Sequence, residues 1–154
     1  MSDSVTRRRL LVLGKTGLAA FGLGGCAILR GGASHPVLDR DRQRLDGKTL
    51  FIPLAALARL GPGEALEVKP GGGHPDLLVR HDDGGWQVIT AHCTHRGCIV
   101  DWNASAREWQ CPCHGSRYAP DGKVVQGPAE RPLTVAPERV EGDSLAVDLA
   151  GLES

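Results

Sequence analysis

Two short boxes of cysteine and histidine constrain this chain more than any other feature of its sequence. The first box is C-T-H-R-G-C at 93–98, and the second is C-P-C-H-G-S at 111–116. Each box contains two cysteines and one histidine, and the pairs Cys93-x-His95 and Cys111-x-x-His114 place one thiol and one imidazole at short spacing in each. Four such side chains can hold a metal centre. Fifteen residues separate the two pairs, so the fold must bring two loops together to build one site.

A lone zinc ion is the simplest centre for two cysteines and two histidines. Zinc fingers usually separate the ligands of a pair by two residues or more. Cys93 and His95 have a single residue between them, so the spacing fits zinc poorly and favours a different centre.

The two boxes together resemble the signature of Rieske [2Fe–2S] proteins, C-T-H-x-G-C followed by C-P-C-H-G-S. The resemblance implies four ligands to one cluster, two on each iron: Cys93 and Cys111 on one, His95 and His114 on the other. It also implies that a disulfide between Cys98 and Cys113 links the two loops. Neutral imidazoles in place of two thiolates make a cluster less negative, which places the potentials of such centres at about −150 to +300 mV.

Further residues are similar to those of the high-potential branch of that family. Ser116 and Tyr118 match positions that donate hydrogen bonds to a bridging sulfur and to a ligand cysteine sulfur, and such bonds raise the potential. Gly127-Pro128 resembles the loop that covers the cluster in cytochrome bc1 and b6f proteins. Arg96 departs from the leucine common in that group, which leaves open how the domain docks against a cytochrome b.

The composition favours many short elements. The 154 residues include 21 Gly and 10 Pro but only six aromatic residues, which is typical of strands joined by turns. Apolar or alternating runs predict strands at 49–52, 65–68, 77–80, 86–90, 123–125, 133–135 and 144–147, with a hairpin turn at 82–85. Helical character is confined to 54–60. We therefore predict an all-β fold, a small antiparallel barrel or sandwich, over residues 49–150.

The N-terminus resembles an export signal. Arg7-Arg8-Arg9 precedes an apolar run, as in a twin-arginine signal, and we assign residues 1–29 to this element. Leu23-Gly-Gly-Cys26 resembles a lipobox, in which Cys26 would become a lipid-modified N-terminus. An uncleaved signal that stays as a membrane anchor is the main alternative, and a helix of a soluble protein is the third.

The polar segment 30–48 follows this signal and is predicted to be a flexible tether, with His35 solvated. Residues 1–48 hold nine Lys/Arg against four Asp/Glu, whereas residues 49–154 hold nine against fourteen. The acidic domain has no basic face for a phosphate backbone, so nucleic-acid binding is not expected. The simplest interpretation of this acidic sign is a solvated surface, and weak steering of a basic redox partner is the alternative.

The function implied by the resemblance is electron transfer by a subunit rather than by a complete enzyme. The leading interpretation is a bacterial, exported, membrane-tethered subunit of a quinol–cytochrome c reductase. It would sit beside a cytochrome b-type subunit, take an electron and a proton from a quinol, and pass the electron to a c-type cytochrome. A disulfide requires an oxidising compartment, which agrees with export.

Two alternatives belong to other classes of protein. One is the small subunit of an arsenite-oxidase-type molybdenum enzyme, which would pair with a molybdopterin subunit. The other is a free-standing exported Rieske carrier.

Overall fold

Short strands form most of the regular structure in the computed structural model, which describes residues 35–61 and 63–152. In those residues there are twelve strands: β1 (Val37–Leu38), β2 (Arg44–Asp46), β3 (Thr49–Pro53), β4 (Leu66–Val68), β5 (Leu77–Asp82), β6 (Gly85–Thr90), β7 (Asp101–Asn103), β8 (Glu108–Gln110), β9 (Arg117–Tyr118), β10 (Val124–Gln126), β11 (Glu138–Glu141) and β12 (Ser144–Asp148). A 3₁₀ turn (Arg40–Arg42) and one turn of α-helix, α1 (Leu54–Leu57), complete the set. The predicted all-β class is confirmed.

The strands form three sheets of four. Two of them, ordered β1-β4-β5-β6 and β11-β12-β3-β2, form what we call the base, and the third, β10-β9-β8-β7, is the tip sheet. The strands pair antiparallel except for β1, which runs parallel to β4. The predicted hairpin is present, because Asp82 pairs with Gly85 across the turn between β5 and β6.

Strand β5 separates two hydrophobic cores. Leu77 and Val79 pack into the core of the base, whereas Leu78 between them packs into a second core with Trp109 and Tyr118. Successive strand residues point to opposite faces, so a strand with a core on each side needs an unbroken apolar run. The Leu-Leu-Val run at 77–79 meets that requirement. The second core also contains Cys93 and Cys111, the first cysteine of each box, so the base directly supports the loops that carry them.

Arg80 joins the base to the tip sheet. Its side chain is buried, and the guanidinium carbon lies 3.7 Å from the ring centre of Trp102 on β7. The guanidinium also pairs with Asp82 at 2.7 Å, which compensates for the burial of its charge. A planar guanidinium can stack and form ion pairs at the same time, so this residue orients the tip sheet on the base.

The folded domain begins before the predicted boundary at Thr49. Strands β1 and β2 lie within the predicted tether 30–48, and Leu38 is buried in the base core. His35 is also fixed to the domain, since its Nε2 lies 3.0 Å from the carbonyl oxygen of Val100 and 3.1 Å from Asp101 Oδ1. Both strands are held by backbone pairing with β4 and β3, which the polar composition of this segment does not reveal.

The remaining predictions of elements have mixed outcomes. The predicted helix is shorter than expected, one turn at α1. Of the strand predicted at 133–135, only Val135 pairs, in an isolated bridge with Ile89, and Pro132 and Pro137 on either side have no N–H to extend the pairing. The strand predicted at 144–147 is β12, and it forms a hairpin with β11, which was not predicted.

The predicted signal or anchor at residues 1–29, with Cys26, lies outside the described residues. Within the described ranges, no helix combines the length and the hydrophobicity needed to cross a membrane.

Candidate metal centre

The two boxes form loops with the same backbone hydrogen bonds. In the first, the N–H of Cys93 donates to the carbonyl of Cys98 at 2.8 Å, and the N–H of Gly97 donates back to Cys93 at 2.8 Å. In the second, Cys111 donates to Ser116 at 2.8 Å and Gly115 donates to Cys111 at 3.0 Å. Cys93 and Cys111 therefore occupy equivalent positions in two related loops.

A glycine with positive φ closes each loop. Gly97 has φ +75° and Gly115 has φ +76°, values that a residue with a side chain rarely adopts. This requirement accounts for the Gly that stands four residues after the first Cys of each box.

The fold brings the loops together from separate sheets. The first loop follows β6 of the base, and the second connects β8 to β9 of the tip sheet. A disulfide between Cys98 and Cys113, with Cα atoms 6.5 Å apart, ties the loops to each other. Cys93 and Cys111 remain free thiols, and both are buried. Although the sulfurs of Cys98, Cys111 and Cys113 lie within 4.8 Å of one another, two of them form the disulfide and are unavailable as ligands.

The two histidines lie together on the outer side of the same site. The rings of His95 and His114 are 4.9 Å apart between centres and nearly perpendicular, at 87°. His114 is exposed and His95 is partly exposed. The Nδ1 atom of His95 is buried and has no hydrogen-bond partner among the described residues, which is a costly arrangement for an imidazole without a ligand.

The donor set therefore fits a [2Fe–2S] cluster with mixed ligands. Two buried thiols on the inner side suit iron, and two imidazoles on the outer side complete four ligands for two metal ions. The structure brings Cys93 and Cys111 together in the second core and places the rings of His95 and His114 against each other.

Tyr118 is within hydrogen-bond distance of one of the thiols. Its hydroxyl oxygen lies 3.1 Å from Cys93 Sγ, and burial raises the pKa of Tyr118 to about 12, so the phenol keeps its proton. Burial of Cys93 opposes its ionisation, but hydrogen bonds from Tyr118, the backbone N–H of His95, Cys111 and Ser116 together lower the pKa of this thiol. Burial of Cys111 raises the pKa of that second thiol.

The loop at 127–132 lies over the site and contacts both boxes. The N–H of Ala129 donates to the buried Ser116 Oγ at 3.0 Å, which leaves the hydroxyl hydrogen of Ser116 available for another acceptor. Thr94 Oγ1 donates to the carbonyl oxygen of Arg131 at 2.6 Å. The Gly127–Pro128 peptide bond in this loop is cis.

Thr94 also belongs to the site, although the sequence motifs gave it no role. Its backbone N–H donates to the Tyr118 oxygen at 3.2 Å, and its hydroxyl lies 3.2 Å from the same oxygen. Thr94 thus joins the first box, the phenol and the covering loop. The signal for it was its position between the two ligand candidates Cys93 and His95.

Strands β7, β8 and β9 were also missed. Trp102 pairs with Trp109, and Trp109 pairs with Tyr118, so these strands carry the aromatic residues beneath the boxes. The signal was an aromatic residue between polar neighbours on each side of the turn at 104–107, the alternation typical of a hairpin.

Comparison with known proteins identifies the family. The sequence model of the Rieske [2Fe–2S] domain matches residues 51–137. The chloroplastic cytochrome b6-f complex iron-sulfur subunit of Bigelowiella natans is 51% identical over 75 residues, an alignment that covers 47% of this chain and 29% of that protein. The cytochrome b6-f complex iron-sulfur subunit 3 of Nostoc sp. strain PCC 7120 is 35% identical over 158 residues, covering 95% of this chain and 86% of that protein.

A solved structure agrees with these relatives. The cyanobacterial plasma membrane Rieske protein PetC3 from Synechocystis PCC 6803 superposes with a TM-score of 0.51 at 31% identity, covering 62% of this chain and 94% of that one. The chain spans less than a third of the length of the Bigelowiella relative. The match to the family model nevertheless includes both boxes and the covering loop. The chain therefore belongs to the Rieske [2Fe–2S] domain family, and its cofactor is one [2Fe–2S] cluster.

Proposed function

We propose that this protein is the electron-transfer subunit of a quinol-oxidising cytochrome complex. Cys93 and Cys111 would bind one iron of the cluster, and His95 and His114 the other. The observation that carries the proposal is the arrangement of two buried free thiols inside and two adjacent imidazoles outside, on loops joined by a disulfide. When bound, the cluster takes up and releases one electron.

The side chains around the site have two different roles in a protein that carries an electron and a proton. The buried cysteines and the covering loop exclude water from the inner side. The exposed imidazole of His114 is accessible to a hydroxyl donor and can hold a proton on a ring nitrogen. One site can in this way receive the electron and the proton that a quinol gives up.

Two hydroxyls favour the reduced state of the cluster. Tyr118 faces Cys93 Sγ, and the free hydrogen of Ser116 is available to a sulfur of the cluster. Hydrogen bonds to sulfur stabilise the state with more negative charge, so both residues support a high potential.

Tyr118→Phe should lower the midpoint potential of the cluster by up to about 130 mV. A hydrogen bond to a charged group contributes about 1.5–3 kcal/mol, and each 1.4 kcal/mol of preference for one redox state corresponds to about 59 mV. A redox titration followed by electron paramagnetic resonance measures the shift. Ser105→Ala removes an exposed hydroxyl in the turn between β7 and β8 and should leave the potential unchanged. An unaltered potential in Tyr118→Phe would show that the phenol does not bond to the reduced cluster.

The proposed partners are a cytochrome b-type subunit and a c-type cytochrome, with a quinol as the reductant. Two relatives described above are named as subunits of cytochrome b6-f complexes, which favours this proposal over a molybdenum-enzyme subunit or a free carrier. Residues 1–29 are proposed to export the protein and to tether it on the periplasmic side of the inner membrane. Cys26 would serve as the lipid-modified residue if that segment is cleaved.

A redox titration of the full chain at several pH values tests the function. The reduced protein should give the anisotropic low-temperature spectrum of a Rieske cluster, with a potential between about −150 and +300 mV. The potential should fall as pH rises, by about 59 mV per unit where one proton accompanies one electron. A colourless zinc protein would contradict the cluster assignment, and a potential independent of pH would contradict quinol oxidation.

A further inference from the structure

A concave surface lies beside His95, on the side of the first box. Its volume is about 750 Å³, and its walls are the first box, the covering loop and residues 74–76. We call it the His95 face. Arg96 from the box and Arg131 from the covering loop both line it, together with His74 and His92. Proposed quinol oxidation makes no use of this surface.

The two arginines of the His95 face have free charges. Both side chains are exposed, and no carboxylate of the described residues lies within ion-pair distance of either guanidinium. Two acidic groups lie near them. Asp76 is already engaged by Lys69 at 3.5 Å and lies 4.0 Å from His92, and Glu130 is exposed next to Arg131. The surface beside His95 therefore carries a positive charge that the protein itself does not neutralise.

This charge contrasts with the rest of the domain. The loops at 91–98, 111–116 and 127–134 contain two Arg and one Glu, whereas the remainder of 49–154 contains seven Lys/Arg against thirteen Asp/Glu. The end of the domain with the two boxes therefore has a net positive charge, while the rest of the domain has a net negative charge. Such an asymmetry orients an approaching partner before contact and is most effective at low ionic strength.

We propose that the His95 face docks an acidic electron partner, a protein with carboxylates around the exposed edge of its redox centre. The inference rests on the proposed electron-transfer function and identifies the kind of partner. Arg96 and Arg131 stand in the walls of an open surface, where a small anion would remain hydrated, while a protein can place carboxylates against both arginines at once. Docking there brings the partner next to His95, one of the proposed ligands of the cluster. The acidic composition of the domain as a whole would suit a basic partner, whereas the local charge of the His95 face suits an acidic one.

Rapid-mixing kinetics of the full-length holoprotein test the proposal with three oxidants. Reduced protein is mixed with an acidic c-type cytochrome, a basic c-type cytochrome of similar potential, and a small uncharged oxidant. The rate constant with the acidic cytochrome should fall as ionic strength rises, and Arg96→Gln with Arg131→Gln should lower it about tenfold at low ionic strength. Titration calorimetry with the same acidic cytochrome should show weaker binding to the double variant. Arg59→Gln removes an exposed arginine two residues after α1, outside the His95 face, and serves as the control.

The outcomes separate this inference from the proposed function. Unchanged oxidation by the uncharged oxidant shows that the cluster and its electron transfer are intact in the double variant. Faster reaction of the wild-type protein with the basic cytochrome at low ionic strength would overturn the inference, as would an equal loss in the Arg59→Gln control. If the double variant fails to assemble, the salt dependence of the wild-type protein still decides between the acidic and the basic partner. Absence of any Rieske signal in the wild-type protein would instead overturn the proposed function.

Discussion

Replacing either His95 or His114 with Cys should lower the midpoint potential of the cluster by about 200 mV or more. Clusters with four cysteine ligands lie near −400 mV, whereas those with two histidines lie between about −150 and +300 mV. Each substitution exchanges a neutral imidazole for an anionic thiolate, so it makes the addition of an electron less favourable. The two rings lie 4.9 Å apart at the outer side of the site, and equal effects are expected if both bind the same iron.

The titration should include His81→Cys as its control. His81 lies on β5, is exposed, and lies outside the boxes, so the same new side chain should leave the potential unchanged. A cluster that assembles with its original potential in His95→Cys or His114→Cys would show that the replaced histidine is not a ligand. Loss of the pH dependence in the His114→Cys variant would further identify that imidazole as the group that holds the proton.

The double substitution Cys98→Ser with Cys113→Ser should lower the free energy of unfolding by about 3 kcal/mol, the value expected for a loop of this length. The two cysteines are fifteen residues apart in sequence and join the loop from the base to the loop from the tip sheet. Without the bond, the two halves of the site are held together by the covering loop and by packing. The cluster should therefore dissociate at a lower denaturant concentration than in the wild-type protein.

Denaturant unfolding followed by cluster absorbance and by circular dichroism measures both effects. Cys26→Ser is the matched control, since Cys26 is the one cysteine outside the boxes. A reductant added to the wild-type protein should reproduce the result of the double substitution. Equal stability of the double variant and the wild type would show that the disulfide has no part in holding the loops together.

Much of the site was predictable from local sequence because its chemistry is local. A glycine with positive φ and the cysteine four residues before it are parts of one loop, so the spacing within a box reflects the backbone geometry of that loop. The strands with apolar runs, such as β5 and β6, were predictable for the same reason. The short strands β1 and β2 were not, because two or three residues held by backbone pairing leave no hydrophobic pattern.

Contacts between distant parts of the chain needed the tertiary structure. Arg80 stacks on Trp102, and His35 forms a hydrogen bond with the carbonyl of Val100. The partners in each pair are far apart in sequence, so no local sequence pattern predicts these contacts. Thr94 acquires its role only when the covering loop and Tyr118 reach it. Arg96 and Arg131 likewise become one charged surface only after the covering loop folds over the first box.

The sequence by itself determined the family, the set of cluster ligand candidates and the all-β class, because each depends on residue type and short spacing. Only the tertiary structure shows that the folded domain starts before Thr49, which elements support the boxes and which charges face a partner. These features depend on the packing of sheets whose strands are far apart in the chain. Burial and unpaired charge are properties of that packing, so they become visible only when the chain is folded.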